Sequence, residues 1–275
     1  TGEIVGFLGP NGAGKSTMMK IMTGFLLPTS AQLFVDSQNI EEHPVDFKKN
    51  IGYLPENTPL YTEMYVKEYL GFVSGIFNIK NKKRITEIIQ MTGLEKEQHK
   101  KINALSKGYR QRIGLAQALI HDPQVFILDE PTARLDPNQI VEIRNLISEI
   151  GKEKTVMIST HIMQEVEAIC DRIIIINNGK IVADDVTSKI QQHANDEVVT
   201  FQVEFDKPVE PDIIKSLEGI HDMKRISDGE YLLQCPADKE IRNEIFHLAV
   251  KHNLVLLTIQ KKEKSLETVF REFTG

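Results

Sequence analysis

Three short segments carry residue types, at spacings, that could handle a phosphate chain. Residues 9–17 read GPNGAGKST. The glycines let backbone N–H groups face phosphate oxygens, Lys15 can hold β- and γ-phosphates, and the Ser16 hydroxyl can ligate Mg²⁺. Residues 125–132 read VFILDEPT, an apolar run ending in two adjacent carboxylates. Such a pair beyond a buried strand is costly unless a cation or a reacting water uses it. Asp129 is therefore a candidate to hold Mg²⁺, directly or through water, and Glu130 to orient and deprotonate an attacking water. His161 follows Ser159 and Thr160 at the end of a third apolar run, where it is placed to touch a γ-phosphate.

These residues need elements to position them. Residues 4–8 are apolar and feed the glycine-rich stretch, which predicts a buried strand entering a tight loop. Residues 15–23 then predict a helix stopped by Gly24, its N-terminus adding partial positive charge under the phosphates. Residues 125–128 and 155–159 predict further strands, each followed by a helix. Asp136 and Pro137 stand as N-cap and first residue of a helix whose Ile143, Leu146, Ile147 and Ile150 share a face, with Gly151 closing it. Ile162, Val166, Ile169 and Cys170 share a face of the helix after His161, so Cys170 reads as core. Repeated strand–helix units imply a mostly parallel sheet with its ligand at the carboxyl ends of the strands.

A second anion device lies between these halves. Residues 53–105 are richer in helical than strand pattern, with helices predicted over 66–77 and 85–92, and read as a helical insertion. LSKGYRQR follows at 105–112, with Ser106 as N-cap of a helix carrying Gln111, Arg112, Leu115 and Leu119. The Ser106 hydroxyl, the Gly108 backbone and that helix N-terminus form an anion site of their own.

In combination, GPNGAGKST, LSKGYRQR, FILDEPT, RLDP and STH resemble the ATP-binding subunits of ABC transporters over residues 1–190. The resemblance implies an α/β fold: a P-loop NTPase cassette with a helical subdomain at about 57–120. It implies ATP and Mg²⁺ as ligands, ATP hydrolysis by Glu130 and His161, and nucleotide contacts from Gly9, Pro10, Asn11, Gly12, Ala13, Gly14, Lys15, Ser16 and Thr17. It implies a head-to-tail homodimer or heterodimer, in which Ser106, Lys107 and Gly108 of one copy close on the nucleotide of the other. Asp136 then belongs to the loop joining the two sites. Metal contacts fall to Ser16, Asp129 and Glu56. Separate integral membrane permeases are the implied partners, which puts the chain at the cytoplasmic face of the cell membrane. Residues 53–61 (YLPENTPLY) and 64–70 (MYVKEYL) are similar to gliding-motility and related exporter-type subunits.

Three positions depart from the family pattern. Glu56 stands where glutamine is usual; it keeps an oxygen for metal or water but loses the amide donors and adds charge. Arg134 stands where a small residue is usual, either reaching across a dimer interface or pointing to solvent. The chain begins at Thr1 without methionine, so the preceding strands, including an aromatic residue that stacks on adenine, are expected to be missing.

Composition limits the alternatives. A 275-residue chain with 41% hydrophobic content fits two domains better than one. A net charge of −6 argues against a nucleic-acid partner. A soluble, non-transport ABC ATPase acting on nucleic acid or the ribosome remains the alternative. The DNA-acting type would carry a long coiled coil before Ser106 and the ribosomal type a second cassette with a basic linker, and the sequence has neither. Cys170 and Cys235 lie far apart, which fits a reducing compartment. No apolar run approaches the roughly 20 residues of a membrane span, so if the protein works at a membrane, other chains do the spanning. Beyond residue 190, alternation at Val199, Phe201, Val203 and Phe205, a helix at 211–217, an Asp228-Gly229 hairpin, a helix at 238–252, a strand at 254–259 and a last apolar stripe predict a small α+β, ferredoxin-like domain over 196–275. Its default role is regulation or dimer support.

Overall fold

The computed structural model describes residues 2–35, 38–81, 83–133, 135–193, 198–217, 219–237, 239–262 and 266–275. The chain divides into two units, Thr1–Val186 and Thr187–Phe273. In the first, the order is β1 (Glu3–Leu8), α1 (Lys15–Met22), β2 (Phe34–Val35), β3 (Gln38–Asn39), α2 (Pro44–Lys49), β4 (Ile51–Leu54), α3 (Val66–Ile76), α4 (Lys83–Met91) and α5 (Lys107–Leu119). There follow β5 (Val125–Asp129), α6 (Pro137–Gly151), β6 (Thr155–Ser159), α7 (Met163–Ile169), β7 (Arg172–Asn177) and β8 (Lys180–Val186).

The apolar runs become a six-stranded sheet in the order β4-β5-β6-β1-β7-β8. Its first five strands are parallel and β8 is antiparallel. Near-continuous apolar strands fit such a sheet because helices bury both faces. Phe7, Met19, Phe47, Ile51, Ile127 and Ile176 form one fully buried cluster that joins α1 and α2 to the sheet. Asp129 pairs in register with Ser159, and Phe7 pairs with Ser159 from the other side. The ends of β5, β6 and β1 therefore come out level, beside the loop that starts at Gly9.

Two boundaries differ from expectation in this unit. Tyr53 and Leu54 belong to the edge strand β4, where Tyr53 pairs with Ile127, so the helical insertion starts after them. Ile162 and Cys170 flank α7 as its N-cap and C-cap instead of lying within it, although Cys170 is buried as foreseen. Burial pushes the Cys170 thiol up to about 12, which leaves it an inert core group. The insertion is tied to the core through Arg112. Its buried guanidinium donates to the Thr92 carbonyl at 3.1 Å and pairs with Glu142 on α6.

The second unit contains α8 (Thr187–His193), β9 (Val198–Phe205), α9 (Pro211–Lys215), β10 (Asp222–Ser227), β11 (Glu230–Pro236), α10 (Arg242–Lys251), β12 (Leu256–Lys262) and α11 (Leu266–Thr274). Its antiparallel sheet runs β10-β11-β9-β12. The alternating Val199, Phe201, Val203 and Phe205 all turn to one core, where Tyr231, Leu233, Ile245 and Leu248 meet them. The helix expected over 238–252 starts only at Arg242. The Glu240 carboxylate accepts from the Arg242 N–H at 3.2 Å and clamps its guanidinium, which caps the helix at that point. The strand expected at 254–259 runs later, Leu256–Lys262. Among the described residues, no helix is long and apolar enough to cross a membrane. Arg134 lies outside the described residues.

Candidate functional site

The loop between β1 and α1 is built by local geometry. Gly14 caps α1 in the left-handed region at φ 105°, which a side chain would strain. Gly9 passes so close to β7 that a Cβ there would lie 2.4 Å from the Ile176 carbonyl oxygen. Within the loop, Lys15 Nζ donates to the Gly9 carbonyl at 2.6 Å and the Pro10 carbonyl at 3.1 Å. The lysine thus stands across the loop mouth, while Lys15, Ser16 and Thr17 form the first turn of α1, whose N–H groups have no acceptor within the helix. Asn178 and Gly179, both at positive φ, turn β7 into β8, and the Gly179 N–H donates to the Ala13 carbonyl at 3.0 Å. That buttress was legible as an Asn-Gly hairpin signal, and sequence reasoning missed it.

One cavity of about 270 Å³ collects the rest. Asn11, Gly12, Gly14, Lys15, Ser16, Thr17, Glu56, Asp129, Glu130, Ser159 and His161 line it. Ten of these eleven were site candidates from sequence; Ser159, whose hydroxyl hydrogen-bonds Asp129, was not. Gly9 and Pro10 serve through their carbonyls, and Ala13 is buried beneath the loop. A larger cavity of about 510 Å³, lined by Phe25, Tyr53, Phe77 and His121 among others, does not include the acids.

The acids are held at raised proton affinity. Burial pushes Asp129 above the usual carboxylate range, against the Ser159 hydrogen bond, and nearby Glu56 adds to the rise. Burial does the same to Glu130, opposed by the hydrogen bond with His161. Lys15 is drawn below its ordinary value by burial, with Glu130 and Asp129 opposing. Glu130 itself sits at φ 50°, an uncommon conformation for a residue with a side chain, and its N–H donates to the Ser159 carbonyl at 2.8 Å. Its Oε1 lies 2.9 Å from His161 Nδ1. Gln111 of LSKGYRQR reaches the carbonyls of Glu130 and Pro131 at 3.4 and 3.3 Å, a contact the sequence reading did not foresee.

The donor set fits Mg²⁺ with a triphosphate. Among the described residues no three His, Cys, Asp or Glu side chains form a metal cage. Mg²⁺ needs none, since it takes one or two carboxylates and fills its shell with phosphate oxygens and water. Burial above all, with a smaller push from Glu56, disfavours the Asp129 charge, and a bound cation would relieve that cost.

Ser106, Lys107, Gly108 and Asp136 do not line this cavity. Ser106 caps α5, its Oγ accepting from the Tyr109 N–H at 3.4 Å. Gly108 is pressed under α6, where a Cβ would lie 2.3 Å from Gln139 Oε1. Asp136 caps α6, Oδ1 accepting from the Gln139 N–H at 3.0 Å.

Comparison with known proteins decides the family. The family described as "ABC transporter" matches residues 1–133. An uncharacterized ABC transporter ATP-binding protein, YhcH of Bacillus subtilis, is 34% identical over all of this chain and 88% of its own length. The chain belongs to the ATP-binding subunits of ABC transporters. The bacitracin transport ATP-binding protein BcrA of Bacillus licheniformis is 33% identical over all of this chain and 89% of its own. A solved dimeric, post-hydrolysis ATP-binding cassette bound to ADP and Pi superposes with a TM-score of 0.62, at 27% identity, over 67% of this chain and 85% of that one. This ABC subunit is accordingly an ATPase that uses ATP with Mg²⁺ on a P-loop cassette fold. ABC cassettes of this kind dimerise and work with membrane permease subunits.

Proposed function

We propose that this chain powers a membrane exporter, with Glu130 as the general base of ATP hydrolysis. The observation that carries the reading is the Glu130–His161 pair at 2.9 Å, in one cavity with Lys15 and Ser16. The N–H groups of residues 15–17 and the Lys15 ammonium hold the phosphates. Ser16, Asp129 and Glu56 would hold Mg²⁺, which would neutralise phosphate charge. Glu130 takes a proton from water as its oxygen attacks the γ-phosphorus; the bond to the β-phosphate oxygen breaks, releasing ADP and phosphate. His161 orients Glu130 and faces the γ-phosphate. A burial-raised carboxylate suits the base, because proton affinity nearer neutrality strengthens it.

Ser106, Lys107 and Gly108 stand outside that cavity, which supports their action on a second copy's nucleotide. Closure of two cassettes then requires the γ-phosphate, since only a triphosphate spans both devices. The α3–α5 region and the loop at Glu56 contact separate permeases at the cytoplasmic face of the membrane. The bacitracin transport for which BcrA is named supports a transport role, and the similarity of residues 53–61 and 64–70 to exporter-type subunits supports export as the direction. A gliding-motility complex is the narrower proposal, supported only by residues 53–61 and 64–70. The unit from Thr187 takes a ferredoxin-like fold that supports regulation or dimer contact.

Glu130→Gln tests the base. ATP binding should persist while turnover falls by about 10²- to 10⁴-fold, measured as phosphate release; undiminished turnover sinks the assignment. Purification of the chain from membranes with its bound proteins tests the transport reading, and recovery only with ribosomes or DNA overturns it.

A further inference from the structure

We propose that Glu165 is a positioning residue for hydrolysis: by holding the hydroxyl protons of Thr132 and Thr160 it keeps one oxygen of Glu130 open to water. The proposal rests on the reading of Glu130 as base. Glu165 lies in α7, is only 5% exposed and does not line the nucleotide cavity, so it stands behind that cavity. A buried carboxyl group is costly unless its oxygens are satisfied. Here Oε1 accepts from Thr132 Oγ1 at 2.6 Å and Oε2 from Thr160 Oγ1 at 3.2 Å. Both threonines are almost fully buried. Thr132 follows the strained Glu130 by two residues, and Thr160 immediately precedes His161, so one side chain stitches the chain on both flanks of the pair.

The decisive detail is a shared hydroxyl. Thr160 Oγ1 also lies 3.4 Å from Glu130 Oε2, and accepts from the Ile162 N–H at 3.2 Å. A hydroxyl has one proton and can donate to one carboxylate at a time. While Glu165 takes it, Glu130 has Oε1 held by His161 and Oε2 available to the water. Without Glu165 the hydroxyl turns to Oε2 and occupies the oxygen that the water must reach. A residue that only packed α7 would affect stability and leave this competition untouched.

The test is steady-state ATP hydrolysis by the full chain with Mg²⁺, alongside thermal unfolding. Glu165→Ala should lower kcat by about tenfold with KM for ATP within about twofold, the signature of losing something specific to the chemical step. Adding Thr160→Val removes the misdirected donor, and the double variant should exceed Glu165→Ala in kcat by about threefold or more. If the alanine variant does not fold, Glu165→Met keeps most of the volume without a carboxylate acceptor and gives the same cycle. Wild-type kcat in a Glu165 variant, a change in KM alone, or a double variant no faster than the single overturns the proposal. Glu130→Gln in the same assay separates the two readings: if it turns over normally, the base assignment fails, whatever happens at position 165.

Discussion

At the scale of residues, the site is a set of charges that the protein holds at some cost. Burial raises the proton affinity of Asp129 and Glu130, so the folded chain binds protons more readily there than the unfolded chain. The sign follows: their contribution favours the folded state below the usual carboxylate range and is lost as pH rises through the raised values. Glu130→Gln should therefore raise the Tm of the nucleotide-free chain near neutral pH, with the gap to wild type closing on acidification. A gap independent of pH would mean that burial does not strain this carboxylate. These residues were legible in sequence because each motif is contiguous: GPNGAGKST carries its own loop geometry, and Asp129-Glu130 follows directly on an apolar strand. Glu165, Ser159 and Gln111 were not legible in their roles. Their partners are distant in sequence, as with Thr132 for Glu165 or the Glu130 carbonyl for Gln111, and only strand order and helix packing bring them together.

At the scale of elements, caps and strand ends place the chemistry. The level ends of β5, β6 and β1 deliver Asp129, Ser159 and the phosphate loop to one edge, as parallel sheets do. The caps at Gly14, Ser106 and Asp136 each stand where the sequence put a helix start. Two other element starts were read less well, because tertiary and local side-chain contacts set them: Tyr53 is strand because it finds Ile127, and α10 waits for the Glu240–Arg242 clamp. The Asp136 cap gives a separable prediction. Asp136→Ala should cost about 1 kcal/mol of stability through the lost α6 cap, while Asp136→Asn retains it, as measured by denaturant unfolding. If asparagine preserves stability but lowers ATP turnover, the proposed role in joining two sites gains support; equal stability losses in both variants would deny the cap its importance.

At the scale of the whole molecule, one chain carries two anion devices that do not share a cavity. The phosphate loop has Asp129, Glu130 and His161 beside it, whereas Ser106 at the start of α5 caps its helix and lines none of that space. On the proposed reading a single copy holds half of two sites, and ATP is the bridge that completes both. Sedimentation of Glu130→Gln, which should bind ATP without consuming it, tests this most directly. With saturating ATP and Mg²⁺ the variant should run as a species of twice the 31.2 kDa chain mass, reverting to monomer with ADP or on adding Ser106→Arg. A monomer under saturating ATP and Mg²⁺, or a dimer indifferent to both the γ-phosphate and Ser106, would contradict the proposed reading.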